Sequence, residues 1–336
     1  MKYVKFGRTG IDVSKLTLGM MSYGNPAIQK WYLDLEHSRP LIKKALDLGI
    51  NFFDTANTYS AGRSEEITGT VLKDYRDDVV IATKVYLNVG DFTKQSLNKQ
   101  GLSRYHVRKA IADSLKRLDM DHIDIYQIHR LDPNLPADEI MRTLNHLIDE
   151  GKTLHIGASS MFAWQFAKLQ FTADKLELES FVSMQNQYNL VYREEEREMF
   201  PLCKDQQIAT IPWSPLAKGF LSGKYKRNEY PSGARYESDP LIKSRFFRPE
   251  DFDVVETVVE VAKEKGVQPA QIALAWLLIK DYVTSPIIGA TKAKHLDQAV
   301  EALDIQLTTD DIKRLEEKYI PHQIVGHDYK GFRVVK

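Results

Sequence analysis

Short apolar runs, each closing on a polar or small residue, alternate along this chain with amphipathic stretches of helical period. Asn51-Phe52-Phe53 leads into Asp54, Val79–Thr83 into Lys84, and Ile123–Ile128 into His129. Leu16–Leu18 closes on Gly19-Met20, Leu154–Ala158 on Ser159, Phe181–Met184 on Gln185, Ala209–Pro212 on Trp213 and Thr284–Ile288 on Gly289. Runs this short, bounded by turn residues, predict buried strands. The intervening stretches predict helices. Pro40–Leu48 and Ser64–Lys73 are short, and Arg104–Leu118 carries a stripe of Val107, Ile111, Leu115 and Leu118. Pro136–Glu150 begins with proline in its first turn and stops at Gly151.

Eight strand–helix units predict a parallel sheet closed on itself, an α/β fold of the (β/α)8 TIM-barrel type. An open dinucleotide-binding sheet would carry G-x-G-x-x-G after its first strand; Gly19-Met20-Met21-Ser22-Tyr23-Gly24 lacks it. Tyr3–Ser14, alternating around Gly7 and Gly10, predicts an N-terminal β-hairpin. Two long aperiodic stretches, Tyr86–Leu102 and Lys224–Arg248, predict loops over the rim where the strands end. With no fixed repeat, low-complexity tract or Pro/Ser-rich linker, residues 1–336 are expected to form a single domain.

Composition narrows the function classes. Lys+Arg and Asp+Glu balance at 46 each, so the net charge points to neither nucleic acid nor an anionic membrane surface. No run approaches the ~20 apolar residues of a membrane span, and Met1–Phe6 lacks a signal-peptide core. A cytoplasmic protein is expected. Cys203, the single cysteine, reads as a small buried hydrophobe on an amphipathic helix. The nine histidines show no metal-ligand spacing, so no metal is expected. The acidic run Arg193–Glu198 predicts the first turn of a helix, where the dipole favours carboxylates.

Barrel enzymes work at the rim formed by the strand C-termini. Asp54, Lys84 and His129 end three consecutive predicted strands there, with Tyr59 just beyond the first. A phenol titrates near ~10 and needs a neighbouring cation to part with its proton readily. Lys84 can be that cation, Asp54 can hold Lys84 charged, and His129 can orient a carbonyl oxygen against the Tyr59 hydroxyl. Each has an innocent alternative: a turn cap, a rim aromatic, a solvated strand end, a structural histidine. No side chain supplies a hydride, so carbonyl reduction here requires a nicotinamide.

Phe53-Asp54-Thr55-Ala56 with Tyr59, Ala82-Thr83-Lys84 and Gln127-Ile128-His129-Arg130 resemble the signature segments of the aldo-keto reductases. The similarity runs from Phe6–Gly10 to Pro321-His322 and points to the microbial or fungal branch related to the potassium-channel β-subunit-like members. It implies a TIM barrel, NADPH, and a catalytic Asp54/Tyr59/Lys84/His129 tetrad with Tyr59 as general acid. It also implies Trp213 stacked on the nicotinamide, with Ser214 and Leu216 beside the diphosphate. Ser159, Ser160 and Gln185 would hold the carboxamide, with Gly19, Met20 and Asp54 nearby. Lys224 and Arg235 would meet the phosphates, and Gly289-Ala290-Thr291-Lys292 would form the adenosine 2'-phosphate loop. Farther on the chain departs from the family pattern. Many relatives grip adenine with Glu-Asn, whereas this chain reads His295, Leu296, Asp297, Gln298, Ala299; Gln298 can replace the glutamate, but Ala299 cannot hydrogen-bond.

The expected substrate is a small aromatic or medium-sized aliphatic carbonyl compound, with Met21, Tyr23, Trp31, Tyr86, Arg130 and Phe246 or Phe247 as pocket walls. Two rivals remain at this level: a cofactor-carrying partner protein with slow turnover, and a barrel isomerase or aldolase using Lys84 as Schiff-base former. The second leaves Trp213 and the Gly289–Lys292 loop without a purpose. Oligomeric state is not legible.

Overall fold

The computed structural model describes residues 1–90, 98–227, 229 and 247–324. β1 (Tyr3–Lys5) pairs antiparallel with β2 (Asp12–Ser14), the expected hairpin. Eight parallel strands follow: β3 (Thr17–Gly19), β4 (Phe52–Asp54), β5 (Val80–Val85), β6 (Ile123–Ile128), β7 (Thr153–Ser159), β8 (Ser183–Gln185), β9 (Ala209–Thr210) and β10 (Ile287–Ile288). Each strand from β3 to β8 pairs with the next, and β10 pairs with β3. The remaining seam is joined by Thr284 N–H donating to Thr210 C=O at 2.9 Å and Ile287 N–H to Pro212 C=O at 2.8 Å. The sheet is therefore a (β/α)8 barrel.

Side chains alternate across each strand. Phe52, Val80, Ala82, Ile125, Ala209, Ile211 and Ile287 fill the barrel interior, while Phe53, Ile81, Tyr126, Ile128, Met184 and Ile288 face the surrounding helices. The hairpin stoppers the N-terminal end: Phe6 and Val13 join the inner cluster, and Phe6 meets Phe52 edge to face at 5.3 Å. The opposite end is left to polar residues.

Arg104–Leu118 forms the helix read from its stripe, with Ser103 accepting from His106 N–H as its cap. Two boundaries differ from expectation. The first helix is Leu35–Asp47 and contains Pro40, because Asp34 accepts from His37 N–H and starts the helix one turn early. Pro136 stands just outside Ala137–Asp149 as its N-cap, not in its first turn. The acidic run also diverges: Glu194–Glu196 is a separate 3-10 turn, and the helix begins at Met199. Glu194 and Glu195 are buried, held by Tyr319 and Arg197 in one case and Asn186 in the other, so side-chain partners rather than a helix dipole stabilise them. Cys203 is fully buried on the helix Met199–Asp205. No helix among the described residues is long and apolar enough to cross a membrane.

Candidate active site

The parity that turns Phe52, Val80, Ala82 and Ile125 inward also turns in Asp54, Lys84 and Gln127, one layer nearer the C-terminal rim. Lys84 Nζ donates to Asp54 Oδ2 at 2.5 Å, to the Thr55 carbonyl at 2.7 Å and to the Tyr59 hydroxyl at 3.3 Å. Asp54 and Lys84 are sealed from solvent, whereas Tyr59 and His129 keep part of their surface open. The Tyr59 and His129 rings lie edge to face with centroids 5.9 Å apart. His129 Nδ1 is buried without a partner among the described residues.

Tyr59 is delivered by a tight turn, Tyr59–Gly62, in which Ser60 and Ala61 adopt left-handed backbone angles. Gly62 is also left-handed (φ 93°), and a Cβ there would stand 2.7 Å from Arg117 Cδ. Behind the turn, fully buried Glu65 accepts from Thr83 Oγ1 at 2.6 Å and from Arg117 Nε at 2.6 Å. That bridge ties the helix after Tyr59 (Arg63–Leu72) to the outer face of β5, whose inner face carries Lys84.

Electrostatics sort the four groups into states. Burial works against the Lys84 ammonium, but the Asp54 and Tyr59 charges outweigh it and raise its pKa above the ordinary lysine value. Burial raises the Tyr59 hydroxyl above the ordinary phenol value, and Lys84 opposes this without overcoming it. The sequence suggested a readily lost proton; desolvation wins instead. Burial, then the Arg130 and Lys84 charges, hold His129 well below the usual imidazole range, so it is neutral at physiological pH.

The same rim carries further polar, aromatic and cationic groups. Trp213 is partly exposed beside the inner cluster, and its indole N–H donates to Ser160 Oγ at 3.3 Å. Ser159 Oγ donates to the Gln185 carbonyl at 2.7 Å, and Ser160 N–H donates to Asn186 Oδ1 at 2.7 Å. Ser214 is left-handed (φ 57°), with its carbonyl held by Asn189 Nδ2 at 2.9 Å, and Leu216 is half-buried. Burial depresses the His295 pKa, and the charges of Lys292, Lys294 and Lys224 add to this. Lys224, on the segment after β9, and Lys292, on the loop after β10, thus both act on this imidazole. There the helix Ala293–Glu301 opens with no acidic residue in its first turn, and Gly289, Thr291 and Lys292 are exposed. An anionic phosphate fits a helix N-terminus set among lysines.

Other expected residues land differently. Tyr23 is fully buried, and its hydroxyl donates to the Ala290 carbonyl at 2.9 Å; it braces the loop after β10 from the core and is no pocket wall. Met20 is fully buried in the core, and its carbonyl accepts from Ser64 Oγ. Gly19 has no room for a side chain, since a Cβ would meet Ile287 Cγ2 at 2.7 Å. Gln298 is half-buried, and Ala299 faces the core. Met21, Trp31, Tyr86 and Arg130 are half-buried on segments that follow β3, β5 and β6, with Arg130 donating to the His129 carbonyl. Phe247 packs against Phe220 and Phe252, while Arg235 and Phe246 lie outside the described residues. Among the described residues no group of three His, Cys, Asp or Glu side chains could hold a metal ion.

Sequence reasoning gave no role to the Gln127 and Asn186 side chains and read Glu195 only as part of a helix's first turn. Gln127 Nε2 donates to Asp54 Oδ1 at 2.8 Å, as does Gln185 Nε2 at 2.9 Å. Asn186 Nδ2 donates to buried Glu195 Oε2 at 2.5 Å. The signal for Gln127 was available: it shares inward parity with Ile125, at a place where a barrel interior is normally apolar.

A barrel with an ion-paired lysine at a phenol and a neutral imidazole on its C-terminal rim defines an oxidoreductase site for carbonyl compounds. The Aldo/keto reductase family model matches residues 15–320. A versiconal hemiacetal acetate reductase of Aspergillus parasiticus is 42% identical over 346 residues, covering 96% of this chain and 98% of that protein. A putative aryl-alcohol dehydrogenase of Schizosaccharomyces pombe is also 42% identical, over 96% of this chain and 97% of its own. An aldo-keto reductase of Metarhizium robertsii is 38% identical, over 97% and 93%. The chain belongs to the aldo/keto reductase family, whose members generally use nicotinamide cofactors.

Proposed function

We propose that this protein reduces the carbonyl group of an aldehyde or ketone with NADPH, the Tyr59 hydroxyl giving the proton to the carbonyl oxygen. The observation that carries this reading is the Lys84 ammonium, which touches both Asp54 and the Tyr59 hydroxyl beside the His129 ring. When bound, NADPH supplies the hydride. Trp213, Ser159, Ser160 and Gln185 would hold its nicotinamide, and Lys224, Thr291, Lys292, His295 and Gln298 its phosphates and adenosine. Neutral His129 keeps an N–H for the substrate oxygen. Lys84 steadies the charge left on Tyr59 once the proton departs, and Asp54 keeps Lys84 cationic. In the alcohol-oxidising direction Tyr59 takes the proton back.

The substrate is a small molecule, for which an aromatic carbonyl is favoured by Trp31 and Tyr86 on the segments after β3 and β5. The name of the putative aryl-alcohol dehydrogenase relative supports the same class. The test is oxidation of NADPH, with NADH in parallel, across aromatic and aliphatic aldehydes and ketones. Turnover on aryl aldehydes with NADPH preferred is the expected result. Tight NADPH binding without turnover on any compound would instead mark a cofactor-carrying partner protein. Equal use of NADH would overturn the cofactor preference.

A further inference from the structure

Gln127 has no task in the chemistry above, yet its side chain is fully sealed inside the barrel beside the ion pair. Its surroundings are arranged around it. Gly157, the neighbour of Gln127 in the β6–β7 register, has no space for a side chain: a Cβ would stand 2.9 Å from Gln127 Cγ and 2.4 Å from Ser183 Oγ. The amide this vacancy admits forms a triangle. Gln127 Nε2 donates to Asp54 Oδ1 at 2.8 Å, and Gln127 Oε1 accepts from Gln185 Nε2 at 3.1 Å. Gln185 Nε2 also donates to Asp54 Oδ1 at 2.9 Å.

An amide has a donor end and an acceptor end, and exchanging them reverses every bond it makes. Two acceptors, the Asp54 carboxylate and the Gln127 oxygen, meet Gln185 at its nitrogen. Turning Gln185 over would set its oxygen against both and leave buried polar atoms unsatisfied. Gln185 Oε1 correspondingly receives no hydrogen bond among the described residues.

We propose that Gln127 is a positioning residue that fixes the polarity of Gln185, so that Gln185 offers an acceptor, never a donor, to the nicotinamide carboxamide. The site then selects the amino group of that carboxamide, and through it the way the ring is held. Gln127 touches neither cofactor nor substrate; it acts through Gln185 and Asp54. This inference rests on the NADPH reading above.

The test uses equilibrium binding of three ligands to the full-length protein: NADP+, its 3-acetylpyridine analogue, in which a methyl replaces the amino group, and 2'-phospho-ADP-ribose, which lacks the ring. Wild-type protein should bind NADP+ about tenfold more tightly than the acetyl analogue, the worth of one well-placed hydrogen bond. In Gln127→Met, of similar volume, that ratio should fall to about threefold or less, with 2'-phospho-ADP-ribose binding unchanged. Gln127→Glu, protonated against the buried Asp54 carboxylate, retains a donor for Asp54 and an acceptor for Gln185, and should keep most of the ratio. An unchanged ratio in Gln127→Met, or equal losses for all three ligands, would overturn the role of Gln127. Should Gln127→Met not fold, Gln127→Asn, drawn back by one methylene, is judged by the same ratio. Wild-type protein that binds neither NADP+ nor 2'-phospho-ADP-ribose would instead overturn the cofactor reading. Wild-type protein that binds both, without distinguishing carboxamide from acetyl, tells against the Gln127 inference alone.

Discussion

Lys84 and Asp54 form an ion pair of 2.5 Å in which the two side chains are 0% and 3% exposed. Such a pair owes its persistence to completeness. Asp54 has donors on both oxygens, from Lys84, Gln127 and Gln185, and Lys84 has three acceptors. Asp54→Leu would strand a buried ammonium and two amides, and should destabilise the fold by about 3–5 kcal/mol. The double variant Asp54→Leu with Lys84→Met should unfold at higher urea than Asp54→Leu. A double variant no more stable than the single one would mean the pair is not the unit described.

Tyr59→Phe removes one hydroxyl at the partly open end of this network. Turnover with an aryl aldehyde should drop by about 10²–10⁴, the contribution of a positioned acid. NADPH affinity and the thermal midpoint should stay close to wild type. Near-wild-type turnover would remove Tyr59 from the chemistry.

The pH profile of reduction follows from two shifts. His129 lies well below the ordinary imidazole range, so raising the pH through ~6.5 should not change its state or the rate. Tyr59 lies above the ordinary phenol value, so its proton should remain in place from neutral pH to ~10. A single-turnover rate that is flat from near pH 6.5 to 9 and falls only at more alkaline values is expected. An inflection near 6.5 that disappears in His129→Gln would show that the imidazole titrates after all.

Glu195 makes stability itself depend on pH. Burial pushes its carboxyl up to about 8, with Asn186 opposing and Glu194 adding to the rise. The folded state therefore holds a proton that the unfolded chain releases near ~4.3. The stabilisation is complete below that value and is lost as pH rises through the folded pKa, at a slope of up to about 1.4 kcal/mol per pH unit. Urea unfolding of Glu195→Gln should show a flatter dependence between pH 5 and 8 than wild type. Parallel slopes would assign the pH dependence elsewhere.

Much of the site was legible because a strand has period two. Asp54, Lys84 and His129 end apolar runs, so a barrel assignment alone sends them to one rim. The same parity marks Gln127 as an inward polar residue. Tyr23 misled because an aromatic near a strand end looks like a pocket wall; only its hydrogen bond to Ala290, across 267 positions of chain, shows it to be core. The acidic run at Glu194–Glu196 looked like a helix start for a similar reason. Its partners Tyr319 and Asn186 lie on other segments, out of reach of any local pattern. The first helix opened early because Asp34 outranked Pro40 as a boundary signal.

The sequence by itself determined which chemical groups reach the rim: a carboxylate, a phenol, an ammonium and an imidazole at strand ends spaced for a barrel. Tertiary structure alone decided their states. Whether Tyr59 is shifted up or down depends on the balance between lost hydration and the Lys84 charge, and both vary with burial and distance. The amide triangle of Asp54, Gln127 and Gln185 likewise exists only once β4, β6 and β8 close into one interior, because hydrogen bonds are made between positions in space and not along the chain.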